Sequence, residues 1–282
     1  LHSSSLVLAH QTLYEQLSAE DRHTEEGREV EPGQLRTQDV AGYRHQPPAH
    51  ASVPSFLARA DERYAKAWGL DQLFVVAACA HHRLAWVQPF LDGNGRACRL
   101  YTHGVLKGIT ASLWSVNRGL ARHRDEYYKH LSEADMPRHG DLDGRGNLSE
   151  RMLIAWCEFF ISTCRDQVDF MTRMLDLDDL KARLAALITI RSHQQGKADY
   201  RSEAILPLQH VVALGPVTRG EFVQMTGLGE RTGRKVLAQL LADGLLQGDT
   251  PKGAVRIGFP LDALGVLFPN LYPEAASASM DY

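Results

Sequence analysis

The chain has 282 residues, 44% of them hydrophobic, and its 31 lysines and arginines against 34 aspartates and glutamates give a net charge of −3. That length predicts one large core with a smaller unit appended to it. No run approaches the roughly 18 uncharged apolar residues of a membrane span, and the mildly acidic balance excludes a global pull toward nucleic acid, leaving only a local basic face for such contacts.

Cys79, Cys98, Cys157 and Cys164 show neither CxxC pairing nor zinc-like spacing, and three of them sit in apolar helical runs. They predict reduced, mostly buried thiols and a cytoplasmic protein. The chain opens on Leu1 rather than Met, so the true N-terminus is expected to have been lost by trimming or disorder, and any targeting signal with it.

In chain order, "LVLAHQTLYEQL" at residues 6 to 17 predicts a helix that places Leu6, Leu13 and Leu17 near one face. A charged, turn-prone stretch ends it. "DVAGYRHQPPAHASVPSF" carries Gly42, Pro47, Pro48 and Pro54, which suits a short hairpin or extended flap and excludes a long helix. Helix resumes at "VPSFLARADERYAKAWG", with Phe56, Ala60 and Tyr64 at helical spacing. "DQLFVVAACAHHRLAWV" follows, apolar nearly all round, and predicts the central buried helix of a bundle. "RACRLYTHGVLKG", "ARHRDEYYKHLSEAD" and "SERMLIAWCEFFISTCRDQVDFMTRML" predict further helices, with Tyr127 and Tyr128 packing inward and "LDGRGN" at 142 to 147 forming a surface turn. Residues 1–185 are therefore expected to be mainly α, with one β-hairpin flap.

Residues 186–272 follow a different pattern: helix, short helix, turn, helix, then a small hairpin. Gly227 and Gly229 flank the turn, Leu237, Leu240 and Leu241 form an inward face, and "GDTPKG" makes a tip. This is the pattern of a winged helix-turn-helix domain. Residues 273–282 are small and polar and predict a tail.

The chemistry concentrates in "VQPFLDGNGRACR". Pro89 disfavours helical geometry at Gln88, so the buried helix should end at Val87 or Gln88. A new helix then opens at about Asn94, and a helix N-terminus preceded by glycines exposes backbone N–H groups that form an anion site. Gly93 and Gly95 let the backbone approach phosphate oxygens. Arg96 and Arg99 share a helix face and can each fork onto a phosphate. Asp92 lies at the mouth of this site, where Mg²⁺ bridging it to substrate phosphates would remove the repulsion. The GxxxxGK[ST] P-loop does not occur.

Read as Gln88-Pro89-Phe90-Leu91-Asp92-Gly93-Asn94-Gly95-Arg96-Ala97-Cys98-Arg99, the segment closely resembles the Fic family motif His-Pro-Phe-x-Asp/Glu-Gly-Asn-Gly-Arg-x-x-Arg. Every fixed position matches except the first. Further likeness lies in "EPGQLR", "PPAHASVP", His81 and "NRGLARHRDEYYKHL". The resemblance implies a helical Fic domain that uses Mg²⁺ and ATP to move AMP onto a Ser, Thr or Tyr hydroxyl of a target protein, or of the chain itself, releasing pyrophosphate. It implies that Asp92 holds the metal, that Gly93, Asn94 and Gly95 cradle phosphates, and that Arg96 and Arg99 bind the outer phosphates. The "YRHQPP" region matches the flap against which a target segment lies. Gly93 and Arg96, where the related Doc kinases carry Ala and Lys, imply adenylyl rather than phosphoryl transfer.

The family histidine takes the proton of the attacking hydroxyl, a task the Gln88 amide cannot perform at neutral pH. Two readings stay open: a substitution that traps the enzyme, or a natural departure that leaves a nucleotide-binding regulator. His81 and His82, about two turns back on the apolar helix, are expected to be structural. The family's inhibitory sequence, [ST]xxxE[GN], whose glutamate would pair with Arg99, is absent from residues 1 to 282. It is expected, if present, upstream of Leu1.

In the second unit, Arg231, Arg234 and Lys235 open one helix and Arg219 lies on the preceding one. They suit either DNA in a major groove or a protein-docking or homodimerising surface. The alternative function is thus a nucleotide-sensing, DNA-binding transcriptional regulator.

Overall fold

The computed structural model describes residues 1–40, 45–110, 113–194, 196–197 and 199–272. The backbone packs as two units, 1–169 and 170–272.

In the first unit, α2 (Val53–Tyr64) and α4 (Asn94–Thr110) pack on α3 (Leu70–Val87), and α1 (Ser3–Glu15) packs on α4 and α2, joined by α5 (Val116–Arg122), α6 (Arg124–Ala134) and α7 (Glu150–Met174). The α3 sequence buries mainly small residues, Ala77, Ala78, Ala80 and Ala85, which let neighbouring helices approach closely. On one side of α3, Ala77 and Ala78 meet Leu120, Tyr127, Leu131, Trp156 and Phe160. On the other, Leu84, Ala85 and Val87 meet Leu6, Val53, Leu57, Phe90 and Tyr101. Burial of each large side chain stabilises the fold by about 1.5–3 kcal/mol. The Trp156 indole N–H donates to the Ala78 carbonyl at 2.9 Å, so the largest core group leaves no buried donor unmet.

The buried face of α1 is Leu6, Ala9, His10 and Tyr14. Leu13 and Leu17, expected on it, are only half-buried; the polar aromatic residues displace them because they reach a specific partner in the loop after α3. The hairpin flap expected after residue 38 falls partly on residues 41–44, outside the described residues. The flanking residues 37–40 and 45–49 carry no strand. The turn at 142 to 147 has a defined structural use. The Asp143 carboxylate accepts from the backbone N–H groups of His139 and Arg151 and from Ser149 Oγ, and so anchors the start of α7.

In the second unit, α8 (Leu177–Ser192), α9 (Ile205–Leu214), α10 (Arg219–Met225) and α11 (Glu230–Ala242) precede the antiparallel pair β1 (Leu246–Gln247) and β2 (Arg256–Ile257). Leu184, Leu187, Ile188, Leu208, Phe222, Val236, Leu240 and Val255 form its core. The expected division at 185/186 thus lies inside α8, whose apolar residues belong to this core. A capping box of Thr218 and Glu221 starts α10. At Gly233 a Cβ would sit 2.8 Å from Val223 Cγ1, so glycine sets how closely α10 and α11 cross. The expected tail, 273–282, lies outside the described residues. Among those described, no helix is long and apolar enough to cross a membrane.

His81 and His82 are structural, as their place on an apolar helix predicts. The Thr102 hydroxyl donates to the Cys98 carbonyl, so His81 Nδ1–H must donate to Thr102 Oγ1 at 2.8 Å, leaving Nε2 to accept from the Tyr127 hydroxyl at 3.0 Å. His82 Nε2 meets Asp135 Oδ1 at 2.9 Å. Burial pushes His81 from 6.5 down to about 3, and Arg99 and His82 add to the shift. Between those values the unfolded chain takes up a proton that the folded chain refuses, so stability falls as pH drops below about 6.5. The urea midpoint should therefore decrease from pH 7 to pH 5, above the usual carboxylate range; an unchanged midpoint would rule out a neutral buried His81.

Candidate active site

α3 ends where Pro89 requires it to. Gln88 caps the helix in the left-handed region (φ 45°, ψ 69°), still accepted by the helix through its N–H to the Leu84 carbonyl at 3.3 Å. A left-handed glutamine is strained, and a buried arginine holds it in place. Arg36 Nε donates to the Gln88 carbonyl at 2.7 Å, while Nη1 reaches the Gln38 carbonyl at 3.2 Å and Nη2 the Pro48 carbonyl. The Arg36 backbone N–H donates to the Pro89 carbonyl at 2.9 Å. Burial holds this guanidinium below its usual value, with Asp39 opposing the shift. One side chain therefore joins the backbone at position 88 to both ends of the 38–48 segment.

Asn94 closes the loop. Its Oδ1 accepts from the Phe90 N–H and its Nδ2 donates to the Phe90 carbonyl, both at 2.9 Å. The side chain is thus committed to the turn, and Asn94 faces a ligand only through its backbone. Gly93 accepts from the Ala97 N–H at 2.9 Å and so precedes the first turn of α4. The N–H groups of Asn94, Gly95 and Arg96 then have no acceptor within the helix, the geometry that an anion site at a helix start requires.

From α1, His10 stacks on Phe90 (centroids 3.9 Å) and on Tyr14 (4.4 Å). The Gly33 N–H donates to His10 Nδ1 at 2.9 Å, which leaves Nε2–H to donate to the Asp92 carbonyl at 3.2 Å. Burial lowers His10 to about 4, against the opposing pull of Asp92, so this ring is neutral at physiological pH. The Tyr14 hydroxyl donates to Asp92 Oδ2 at 2.9 Å and accepts from Arg96 Nη2 at the same distance. Burial, then the adjoining Asp92 carboxylate, hold the phenol well above its usual value.

Arg96 Nη2 also pairs with Asp92 Oδ2 at 3.0 Å, with the two side chains 37% and 35% exposed. Such a pair contributes under about 1 kcal/mol, so the Arg96 guanidinium is only weakly committed to Asp92. Arg99, one turn on, is buried at 8% exposure. The two arginines share a helix but differ in setting: Arg96 is at the surface and Arg99 behind it.

Among the described residues no cluster of three or more His, Cys, Asp and Glu is placed to hold a metal. Asp92 stands as a single carboxylate with Oδ2 engaged. This fits Mg²⁺, which binds through one or two carboxylates together with substrate phosphates, rather than a metal caged by protein alone.

Residues 1–106 match the Fic/DOC family. They form a Fic/DOC domain. Over 116 residues the chain is 31% identical to the protein adenylyltransferase Fic of Nematostella vectensis, covering 40% of this chain and 25% of that protein. The protein adenylyltransferase Fic of Culex quinquefasciatus is 29% identical over 119 residues, covering 40% and 22%. The chain thus spans about a quarter of the length of the curated relatives it matches. A Fic family protein from Desulfovibrio desulfuricans G20 aligns in structure with a TM-score of 0.45 at 18% identity, over 89% of this chain and 67% of that one.

Within the Fic/DOC domain, the structure brings Gln88, Asp92, Gly93, Asn94, Gly95 and Arg96 together at one loop, with Arg99 one turn behind. Sequence reasoning missed Tyr14, His10 and Arg36. The available signal was a histidine and a tyrosine four apart on an otherwise apolar helix face.

Gly93 meets two demands. Its φ is +71°, and a Cβ there would lie 2.4 Å from Tyr14 Cε2. Gly93→Ala should lower stability by about 1–3 kcal/mol, read as a fall in melting temperature. Adding Tyr14→Ala should recover the contact component in a double-mutant cycle; strictly additive losses would remove Tyr14 from this role.

Proposed function

We propose that this chain is a Fic-type protein adenylyltransferase that grips Mg-ATP at the 88–99 loop and transfers AMP slowly, because position 88 lacks a base. The observation that carries the reading is the assembly of Asp92, the first turn of α4 and Arg96 on one loop beside an amide at residue 88. In this reading the backbone N–H groups of Gly95 and Arg96 face phosphate oxygens. Arg96 leaves its weak pair with Asp92 to meet the outer phosphates, and Arg99 supports the leaving pyrophosphate. Mg²⁺, held by Asp92 together with the nucleotide, would offset phosphate charge. A target hydroxyl, lying against the 43–48 segment, attacks the α-phosphorus as the bond to pyrophosphate breaks, and its proton must go to a base.

Gln88 hydrogen-bonds but takes no proton at neutral pH. Arg36 and the helix end fix the backbone at 88, so a histidine there would inherit a set position. His81 and His82 cannot replace it, since both rings are buried and already bonded. Gln88→His should raise incorporation of radiolabelled AMP, self-modification included, by about 10²–10⁴. Equal labelling by both chains would refute the base argument.

A second reading rests on the second unit, whose helix order and hairpin support a winged helix-turn-helix. Arg231, Arg234 and Lys235 are exposed at the start of α11, with Arg234 paired to Glu230 at 2.5 Å. Arg219 instead donates to the Gly253 and Thr250 carbonyls, both at 3.2 Å, and anchors the hairpin tip. In this reading the chain is a nucleotide-sensing DNA-binding regulator. DNA affinity that falls steeply with salt and shifts with ATP supports it. No binding at low salt eliminates it.

A further inference from the structure

A second concentration of positive charge lies away from the loop, in the first unit. Phe56, Arg59, Arg63 and Tyr64 from α2, Lys66 and Trp68 beyond it, Cys79 and Arg83 from α3, and Arg145 ahead of α7 line a cavity of about 790 Å³. That volume is in the range of about 300–1,000 Å³ typical of small-molecule sites. Four arginines and a lysine line it and no carboxylate does, although the chain as a whole is acidic.

Of the nearby acids, Asp61, Asp135 and Asp143 have partners elsewhere, and Glu62 pairs at the rim. Asp61 accepts from the Ser3 backbone N–H and hydroxyl at 2.6 and 2.8 Å. Asp135 is held by His82 at 2.9 Å, and Asp143 anchors the start of α7. Glu62 pairs with Arg59 at 3.3 Å on the exposed face of α2. At the cavity floor, Arg145 donates to the Ser149 carbonyl at 3.3 Å and to the Ala134 carbonyl, neither of which neutralises it. Burial, then the like charge of Arg83, hold Arg145 below its usual value. Glu62 is the counterion of Arg59 and Asp135 acts on Arg145, but one-to-one pairing does not extend across the cluster, and a multivalent anion relieves the repulsion among its like charges.

We propose that this cavity binds a small phosphate-bearing anion, with Arg83 and Arg145 at its floor and Arg59, Arg63 and Lys66 at its mouth. Guanidinium forks match phosphate oxygens bidentately. Five cations in so small a volume call for several negative charges on a compact molecule, which a polyphosphate supplies and a single carboxylate does not. The site is separate from the 88–99 loop and does not depend on the reading given to that loop.

Cys79 supplies a local reporter. Cys79 is among the residues lining the cavity and is half-buried, whereas Cys98, Cys157 and Cys164 are buried. The Cys157 thiol lies 3.6 Å from Cys79 Sγ and, with Arg145 and Arg83, holds the Cys79 thiol below its usual value against burial, which favours reaction with iodoacetamide. The test titrates inorganic tripolyphosphate into the full chain by calorimetry at low salt, and follows Cys79 alkylation by peptide mass spectrometry. Arg63→Ala with Lys66→Ala alters only the exposed mouth, and Arg96→Ala serves as the separate control on the motif loop. Binding at the cavity should weaken by about tenfold or more in the mouth variant. Tripolyphosphate should slow Cys79 alkylation in the parent and in the Arg96→Ala chain, and lose that protection in the mouth variant. Unchanged tripolyphosphate binding in the mouth variant, an unprotected Cys79, or tighter binding of an oligo-glutamate peptide than of tripolyphosphate would overturn the assignment.

Discussion

The reversal of the backbone between α3 and α4, from a left-handed Gln88 to the first turn at Asn94, is the constraint on which the site depends. Pro89 stops one helix, Gly93 turns with positive φ, and the Asn94 side chain bonds both backbone groups of Phe90. With that turn closed, the N–H groups opening α4 are left without helical acceptors at the end of the helix whose polarity favours an anion. Arg36 and the stack of Phe90, His10 and Tyr14 carry the strain of the turn into the surrounding bundle.

The same arrangement orders the electrostatics. Tyr14 lies between Asp92 and Arg96, donating to one and accepting from the other, and holds the two charges in a geometry that remains accessible to solvent. A weak, exposed pair is easily redistributed, as the proposed phosphate contact with Arg96 requires. Arg99, His81 and Thr102 form the buried support behind it, and His10 stays neutral, so no stray charge competes with the ligand.

Much of this loop was legible in the primary structure, because proline, glycine and a new helix start leave local marks. The end of α3 at Val87 and the opening of α4 at Asn94 agree with the reading of "QPFLDGNGR". What was illegible depends on distant packing. Nothing adjacent to Asn94 reveals that its amide is committed to Phe90 rather than a ligand. Tyr14 and His10 lie in a helix whose leucines suggested another face, and Arg36 is one cation in a charged stretch until burial selects it. In the second unit, the helix order was readable from leucine spacing, whereas the placement of α8 in that core was not, because the apolar residues of α8 give no indication of which neighbours they meet.

The phosphate grip proposed for Asp92, the α4 N-terminus and Arg96 should not depend on the chemistry of residue 88, to which the proposal gives only proton transfer. Calorimetric titration of Mg-ATP into the chain as it stands and into Gln88→His measures this directly. Affinities agreeing within about twofold are expected, since an amide and a neutral imidazole at 88 leave the grip unchanged. Measurable binding only in the histidine form would contradict a grip independent of the base.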